Sequence, residues 1–266
     1  MKKNKKKFIF GAVFCIFILI LVICLSDKKM DLESNIITKL YGYLGEVDIY
    51  HCGGLITYNE KATNKDNLTN ENKLCMAYYL LDSKDKTEDS VNVSGKNQND
   101  TKICKVGENT TITTSSENDT CNYSKFSKNS LNKTYKTIYG EEISSSEPFY
   151  ISSGTACYLE GDTYYCGTAE TFTYSLATNA TIYRLKSKAV KKINGDIEIY
   201  DYFLKVSEDG CYLSNDTDTV SNNCTKALKD NKKIDAFFVK KYGSVYKHTF
   251  KKSSKDNYYW VKSELK

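Results

Sequence analysis

The chain has 266 residues, a formal charge of +5, 22 Tyr, 11 Phe and a single Pro at position 148. That aromatic content excludes a disordered chain and favours a folded one rich in sheet, since Tyr and Phe suit pleated, half-buried surfaces. The charge supports no nucleic-acid partner: residues 1–28 hold six lysines and one aspartate, which leaves 32 basic and 32 acidic side chains in the remainder, so the rest of the chain lacks an overall basic footprint.

In chain order, Lys2, Lys3, Lys5, Lys6 and Lys7 precede an uncharged run from Phe8 to Leu25, FIFGAVFCIFILILVICL. As a helix this run covers about 27 Å, close to a hydrocarbon thickness of roughly 30 Å. The lysines ahead of it outnumber Lys28 and Lys29 behind it, so the positive-inside rule predicts a single-pass signal-anchor in the cell membrane. Residues 1–7 are then a cytoplasmic tail, 8–25 the transmembrane helix in the lipid bilayer, and 26–266 an extracytoplasmic domain. A cleaved signal peptide shares this layout, but its apolar region is usually shorter, and Cys24-Leu25-Ser26 lacks an Ala-x-Ala pattern. Cys15 and Cys24 follow Phe14 and Ile23 rather than a small residue, so they read as apolar members of the helix and not as lipidation sites.

Eight cysteines remain beyond the anchor: Cys52, Cys75, Cys104, Cys121, Cys157, Cys166, Cys211 and Cys224. An even count in an oxidising compartment predicts disulfides, and the spacing suggests four successive local pairs in that order. Cys157 and Cys166 flank Gly161-Asp162, a turn dipeptide, so their bridge would staple a hairpin. Zinc is the alternative, but no C-x-x-C occurs and His51 and His248 stand in no zinc-finger spacing. His51 beside Cys52 makes a poor catalytic pair, because neighbours in a strand point to opposite faces and an oxidised Cys cannot attack.

Between these cysteines, Leu32, Ile36, Ile37, Leu40 and Tyr41 recur at helical spacing and stop at Gly42. Residues 47–58 read as a strand and a turn at Gly53-Gly54, while Leu74 to Leu81 is an apolar run that periodicity cannot divide between helix and strand. Residues 83–130 are dominated by Asn, Ser, Thr, Asp and Lys and read as a polar insertion of long loops tied by Cys104 and Cys121. Leu131, Tyr135 and Ile138 share a helical face with Ser130 as N-cap and Gly140 beyond the end. Phe172, Tyr174 and Leu176 alternate as a strand. Ile182 to Ile193, Asn194-Gly195 and Asp196 to Val206 predict a hairpin with a type I′ turn. A helix over 235–242 stops at Gly243, and residues 245–250 and 258–261 form a closing hairpin. Helices early and antiparallel strands late predict an α+β domain with a curved sheet.

The closing stretch YKHTFKKSSKDNYYWVKSEL and the segment SLNKTYKTIYGEE resemble a loose group of uncharacterised, membrane-anchored, cysteine-stapled envelope proteins from low-GC Gram-positive gut bacteria. The likeness covers roughly residues 129–266. It implies an extracytoplasmic location and a cystatin-like or NTF2-like sheet, and carries no activity with it. The polar insertion departs from a compact version of that fold.

Motifs for chemistry are sparse. Ten N-x-S/T sequons occur, at Asn67, Asn92, Asn99, Asn109, Asn118, Asn122, Asn132, Asn179, Asn215 and Asn223, as a chain rich in Asn, Ser and Thr makes by chance. Asn215, Asp216, Asp218, Asn222 and Asn223 could offer oxygens to calcium but lack the EF-hand ligand order, its Gly and its closing Glu. No phosphate loop or nucleophile elbow appears, and no cofactor is implied. Charge is uneven: residues 29–181 hold 14 basic and 21 acidic side chains, and residues 182–266 hold 18 and 11. Arg184, Lys186 and Lys188 fall on one face of a strand, where they would guard an edge or meet an anionic wall polymer or lipid. The first expectation is therefore a membrane-anchored, noncatalytic binding or interaction module whose partner is an envelope protein or polymer. The alternatives are a bitopic component of an envelope-spanning assembly and a cell-envelope hydrolase.

Overall fold

The computed structural model describes residues 26–44, 58, 62–114, 117–152, 154–169, 180–214, 220–230, 233–254 and 257–266. The expected anchor at 8–25 lies outside these residues, as do the expected strand at 171–176 and nearly all of that at 47–58. Among the described residues no helix is long and apolar enough to cross a membrane.

Strand β1 (Lys28–Lys29) leads into helix α1 (Asn35–Gly42). Strand β2 (Thr63–Asn64), helix α2 (Asn70–Tyr79) and a 3₁₀ turn at Ser83–Asp85 follow. The next stretch holds β3 (Thr87–Asn92), β4 (Gly95–Lys96), β5 (Lys102–Lys105), β6 (Thr111–Thr114) and β7 (Thr120–Ser127). Helix α3 (Lys128–Tyr139) precedes β8 (Phe149–Ser152), β9 (Thr155–Glu160) and β10 (Thr163–Thr168). Strands β11 (Ala180–Lys191), β12 (Ile197–Ser207) and β13 (Gly210–Tyr212) come next, then helices α4 (Asn222–Lys229) and α5 (Ala236–Tyr242). The closing pair is β14 (Ser244–Ser254) and β15 (Asn257–Leu265).

The fold is α+β with antiparallel sheets, as expected. A seven-stranded sheet runs β1-β11-β12-β14-β15-β2, with β13 taking over the β14 side of β12. A five-stranded sheet runs β3-β7-β10-β9-β8, and β4-β5-β6 form a small third sheet. One large core fills the space between the first two sheets and the helices: Ile197, Ile199, Phe203, Tyr246, Phe250 and Trp260 come from the long sheet, Phe126, Phe149 and Tyr164 from the second, and Leu74, Leu131 and Ile138 from α2 and α3. The opposite face of β12 holds a smaller cluster, where Leu204 meets Phe238 and Val239 of α5.

Local chemistry accounts for most of these elements. Helix α1 buries Ile37 and Leu40, the spacing seen in the sequence. The run that begins at Leu74 resolves as helix as far as Tyr79, capped by Thr69, whose hydroxyl accepts from Asn72 N–H at 3.1 Å. Every residue from Lys73 to Tyr78 is buried, so this helix has no polar face and its period carries no signal. The Lys73 ammonium is neutralised by Glu141 at 2.7 Å, which also takes Lys65 at 2.7 Å.

Helix α3 starts three residues earlier than expected. Its N-cap is Ser127, which accepts from Ser130 N–H at 3.0 Å, and Gly140 closes it at φ 72°. A Cβ at Gly140 would lie 2.7 Å from the Tyr259 ring, so both the left-handed backbone and the close approach of β15 require glycine here. The β11–β12 turn also differs. Gly195 alone has positive φ, at 88°, and Lys192 N–H bonds Asp196 O at 2.8 Å. This is a three-residue loop with a type I turn and a glycine bulge in place of type I′.

Half of the stretch 83–130, expected as loops, is strand. Its residues pair because β3 adds to β7 over six positions and β5 to β6 over four, an order imposed by partners rather than by local periodicity.

Candidate functional site

The cysteines fall as follows. Cys104–Cys121, Cys157–Cys166 and Cys211–Cys224 are disulfides, three of the four expected pairs. Cys157 and Cys166 stand directly opposite each other in the β9–β10 hairpin, whose Gly161 turns at φ 57°. Cys75 is also disulfide-bonded, and its expected partner Cys52 lies outside the described residues. Asn222 and Asn223 open α4, while residues 215–219 lie outside the description. Among the described residues no group of three His, Cys, Asp or Glu could hold a metal.

The expected basic stripe is split. Arg184 opposes Phe203 and Lys186 opposes Asp201, but the register shifts between Lys186 and Lys188, and Lys188 opposes Tyr200. The extra residue, Ser187, bulges the strand and moves Lys188 to the other face, over the Tyr200 ring at 5.4 Å. Arg184 points toward the core, 4.8 Å from the Tyr41 ring centroid and 5.5 Å from that of Tyr58. Lys186 bonds Leu32 O at 2.8 Å and pairs with Glu33 at 3.0 Å.

Arg184 borders the richest polar constellation among the described residues. Three neighbouring strands bring it together: His248 of β14 stands opposite Ser263 of β15, and Asp201 of β12 is diagonal to His248 on the same face. A register shift in β15 turns both Trp260 and Ser263 inward. His248 Nε2 lies 2.9 Å from Asp201 Oδ1, and His248 Nδ1 lies 2.6 Å from Ser263 Oγ. Trp260 Nε1 donates to Ser263 Oγ at 3.0 Å. Tyr41 and Tyr58 donate to the second Asp201 oxygen at 2.5 and 2.7 Å. Burial, with the Asp201 carboxylate beside them, pushes both phenols far above their ordinary range, so they stay protonated and serve as donors.

Proton accounting assigns the roles. Trp N–H can only donate, so the Ser263 oxygen accepts from it, and the Asp201 carboxylate can only accept, so His248 Nε2 donates to it; in the neutral imidazole Nδ1 is then the acceptor and takes the Ser263 proton. Ser, His and Asp side by side suggest nucleophilic catalysis, but Ser263 is 1% exposed and His248, Asp201 and Trp260 are 0% exposed. The serine's lone pair and proton are already committed, and no substrate carbonyl can reach it. The constellation is a satisfied buried network that locks β12, β14 and β15 in register and ties α1 and Tyr58 to them.

Access lies elsewhere. A cleft of about 470 Å³ opens among α1, the 3₁₀ turn after α2, and α3, lined by Lys39, Tyr43, Leu80, Lys84, Lys133 and Ile138 among others. Its lining is mixed: Leu80 and Ile138 stand among three lysines and the carboxylates of Asp82 and Asp85. Lys84 pairs with Asp82 at 3.0 Å, whereas the exposed Lys39 and Lys133 have no ion pair among the described residues. Tyr43 is 8% exposed and its buried hydroxyl has no partner among the described residues; burial pushes it up to about 12. Sequence reading missed the cleft, which joins three separated segments. It had one signal for the network: Asp201 occupies the apolar phase of Ile197, Ile199 and Phe203.

Comparison with protein-family models, with curated proteins and with solved structures finds no match for this chain.

Proposed function

We propose that this chain is a membrane-anchored, extracytoplasmic, noncatalytic binding module that takes a small anionic amphiphile in the cleft among α1, the 3₁₀ turn and α3. The observation that carries this reading is the separation of acid–base chemistry from access. The Asp201–His248–Ser263 chain is sealed in the core, while the open cleft sets Leu80 and Ile138 among three lysines, Lys39, Lys84 and Lys133, and two aspartates, Asp82 and Asp85, a lining of net positive charge. Apolar side chains beside a few placed charged groups suit a small amphiphilic ligand. The disulfides support an oxidising compartment, and a long antiparallel sheet with α3 packed against β15 supports the cystatin-like or NTF2-like reading of the fold.

Anilinonaphthalene sulfonate, an anionic aromatic probe, tests the assignment on residues 26–266 expressed into an oxidising compartment. Saturable binding is expected, weakened by at least about tenfold in Lys39→Glu/Lys133→Glu and abolished by filling the cleft with Thr137→Trp. Unchanged affinity in both variants would reject the cleft as the binding site.

A further inference from the structure

We propose that the end of the long sheet carrying the β11–β12 turn seats on an anionic lipid bilayer, with Ile193 in the interfacial layer and the surrounding lysines against the headgroups. This rests on the reading of residues 8–25 as a membrane anchor, and the fold supplies the remaining steps.

The first is where the anchor would meet the domain. The apolar run stops at Leu25, and the residues after it are fixed to the turn: Ile193 N–H donates to Asp27 Oδ1 at 3.3 Å, the Lys192 ammonium pairs with Asp27, and Lys28 stands opposite Lys191. A chain leaving the membrane at residue 25 therefore holds this end of the sheet at the surface, with no slack to carry it away.

The second is the turn's own composition. Loop apices favour polar residues and glycine, yet Ile193 sits at this one and is 62% exposed, so no packing within the domain accounts for it. The third is charge. Lys28, Lys29, Lys251 and Lys252 are exposed at the same end and carry no ion pair among the described residues. The β14–β15 hairpin is held there by Lys252 N–H, which donates to Asp196 Oδ1 at 3.2 Å. Lysines attract anionic headgroups only within a Debye length of about 8 Å, the range that the short connection from residue 25 imposes. A soluble polyanion would be served by the lysines alone, whereas an apolar apex among them is the pattern of a bilayer interface.

The full chain reconstituted in vesicles tests this, with bromine on the lipid acyl chains as a fluorescence quencher. The native Trp260 is buried and gives a constant background, and Ile193→Trp alters only an exposed apex. Quenching of the Ile193→Trp emission in phosphatidylglycerol vesicles, and its loss in phosphatidylcholine vesicles or on adding Lys251→Glu/Lys252→Glu, is the expected result. Phe17→Trp reports the anchor independently. If Phe17→Trp is quenched and Ile193→Trp is not, the docking is overturned while the anchor stands; if neither is quenched, the anchor reading fails and takes the docking with it. Equal quenching in both lipids overturns the anionic part. Protection of this end by soluble lipoteichoic acid without lipid quenching assigns it to a polymer instead and overturns the bilayer contact.

Discussion

Replacing Asp201 with Ala lowers the unfolding free energy by about 4 kcal/mol, the range found when one partner of a buried charged network is removed. The size follows from what the carboxylate satisfies. Tyr41, Tyr58 and His248 all bond it, and Arg184 stands over both phenols. Without Asp201, three donors and one guanidinium lose their acceptor or counter-charge inside the core. For a domain of this size the change corresponds to a fall in Tm of roughly 8 to 16 °C. Tyr58→Phe, which removes one donor and leaves the carboxylate paired, costs about 2 kcal/mol, and Asp209→Ala, at an exposed turn, costs little. Denaturant unfolding of the three variants orders them. An Asp201→Ala protein within 1 kcal/mol of the parent would show that the network does not hold the sheet, and would reopen a role for Asp201 outside stability.

The second large effect concerns the small third sheet. Its cluster consists of Cys104, Ile112, Cys121 and Tyr123 with a rim of partly buried residues, so half of its buried members are the disulfide itself. Glu160 adds a clasp, accepting from Asn109 N–H at 2.9 Å and from the Thr110 hydroxyl at 2.7 Å. Gly167 lets this sheet lie close on β10, where a Cβ would come within 2.6 Å of Ile112. Such a unit buries too little to fold alone. Removing the bridge with Cys104→Ser/Cys121→Ser forfeits about 3 kcal/mol of constraint, so amides of β5 and β6 are expected to exchange at least about 100-fold faster, while those of β12 and β14 keep their protection. Uniform loss of protection across both sheets would mean that the third sheet is part of one cooperative unit and not an appended one.

These cases also show what was legible in the sequence. The β9–β10 staple was, because Gly161-Asp162 and two cysteines mark turn and register together. So was α5, where Asp235 accepts from Phe238 N–H at 2.9 Å and Gly243 follows the end. The strands between 87 and 127 were not. The β3 residues are almost all exposed, and their strand character comes from β7 and a disulfide rather than from an apolar phase. A bulge adds one residue without altering composition, which hid both the split between Lys186 and Lys188 and the inward turn of Ser263. The acid–base network and the cleft depend on segments far apart in the chain, and only Asp201, polar within an apolar alternation, signalled either of them.

A disulfide-closed domain held outside the cytoplasm by residues 8–25 is tested most directly by identifying the thiols that alkylate when the full chain is taken from cells under denaturing conditions without reductant. The expected result is reaction confined to Cys15 and Cys24. Alkylation of Cys104, Cys121, Cys157, Cys166, Cys211 and Cys224 in most molecules would contradict both the staples and the compartment they imply.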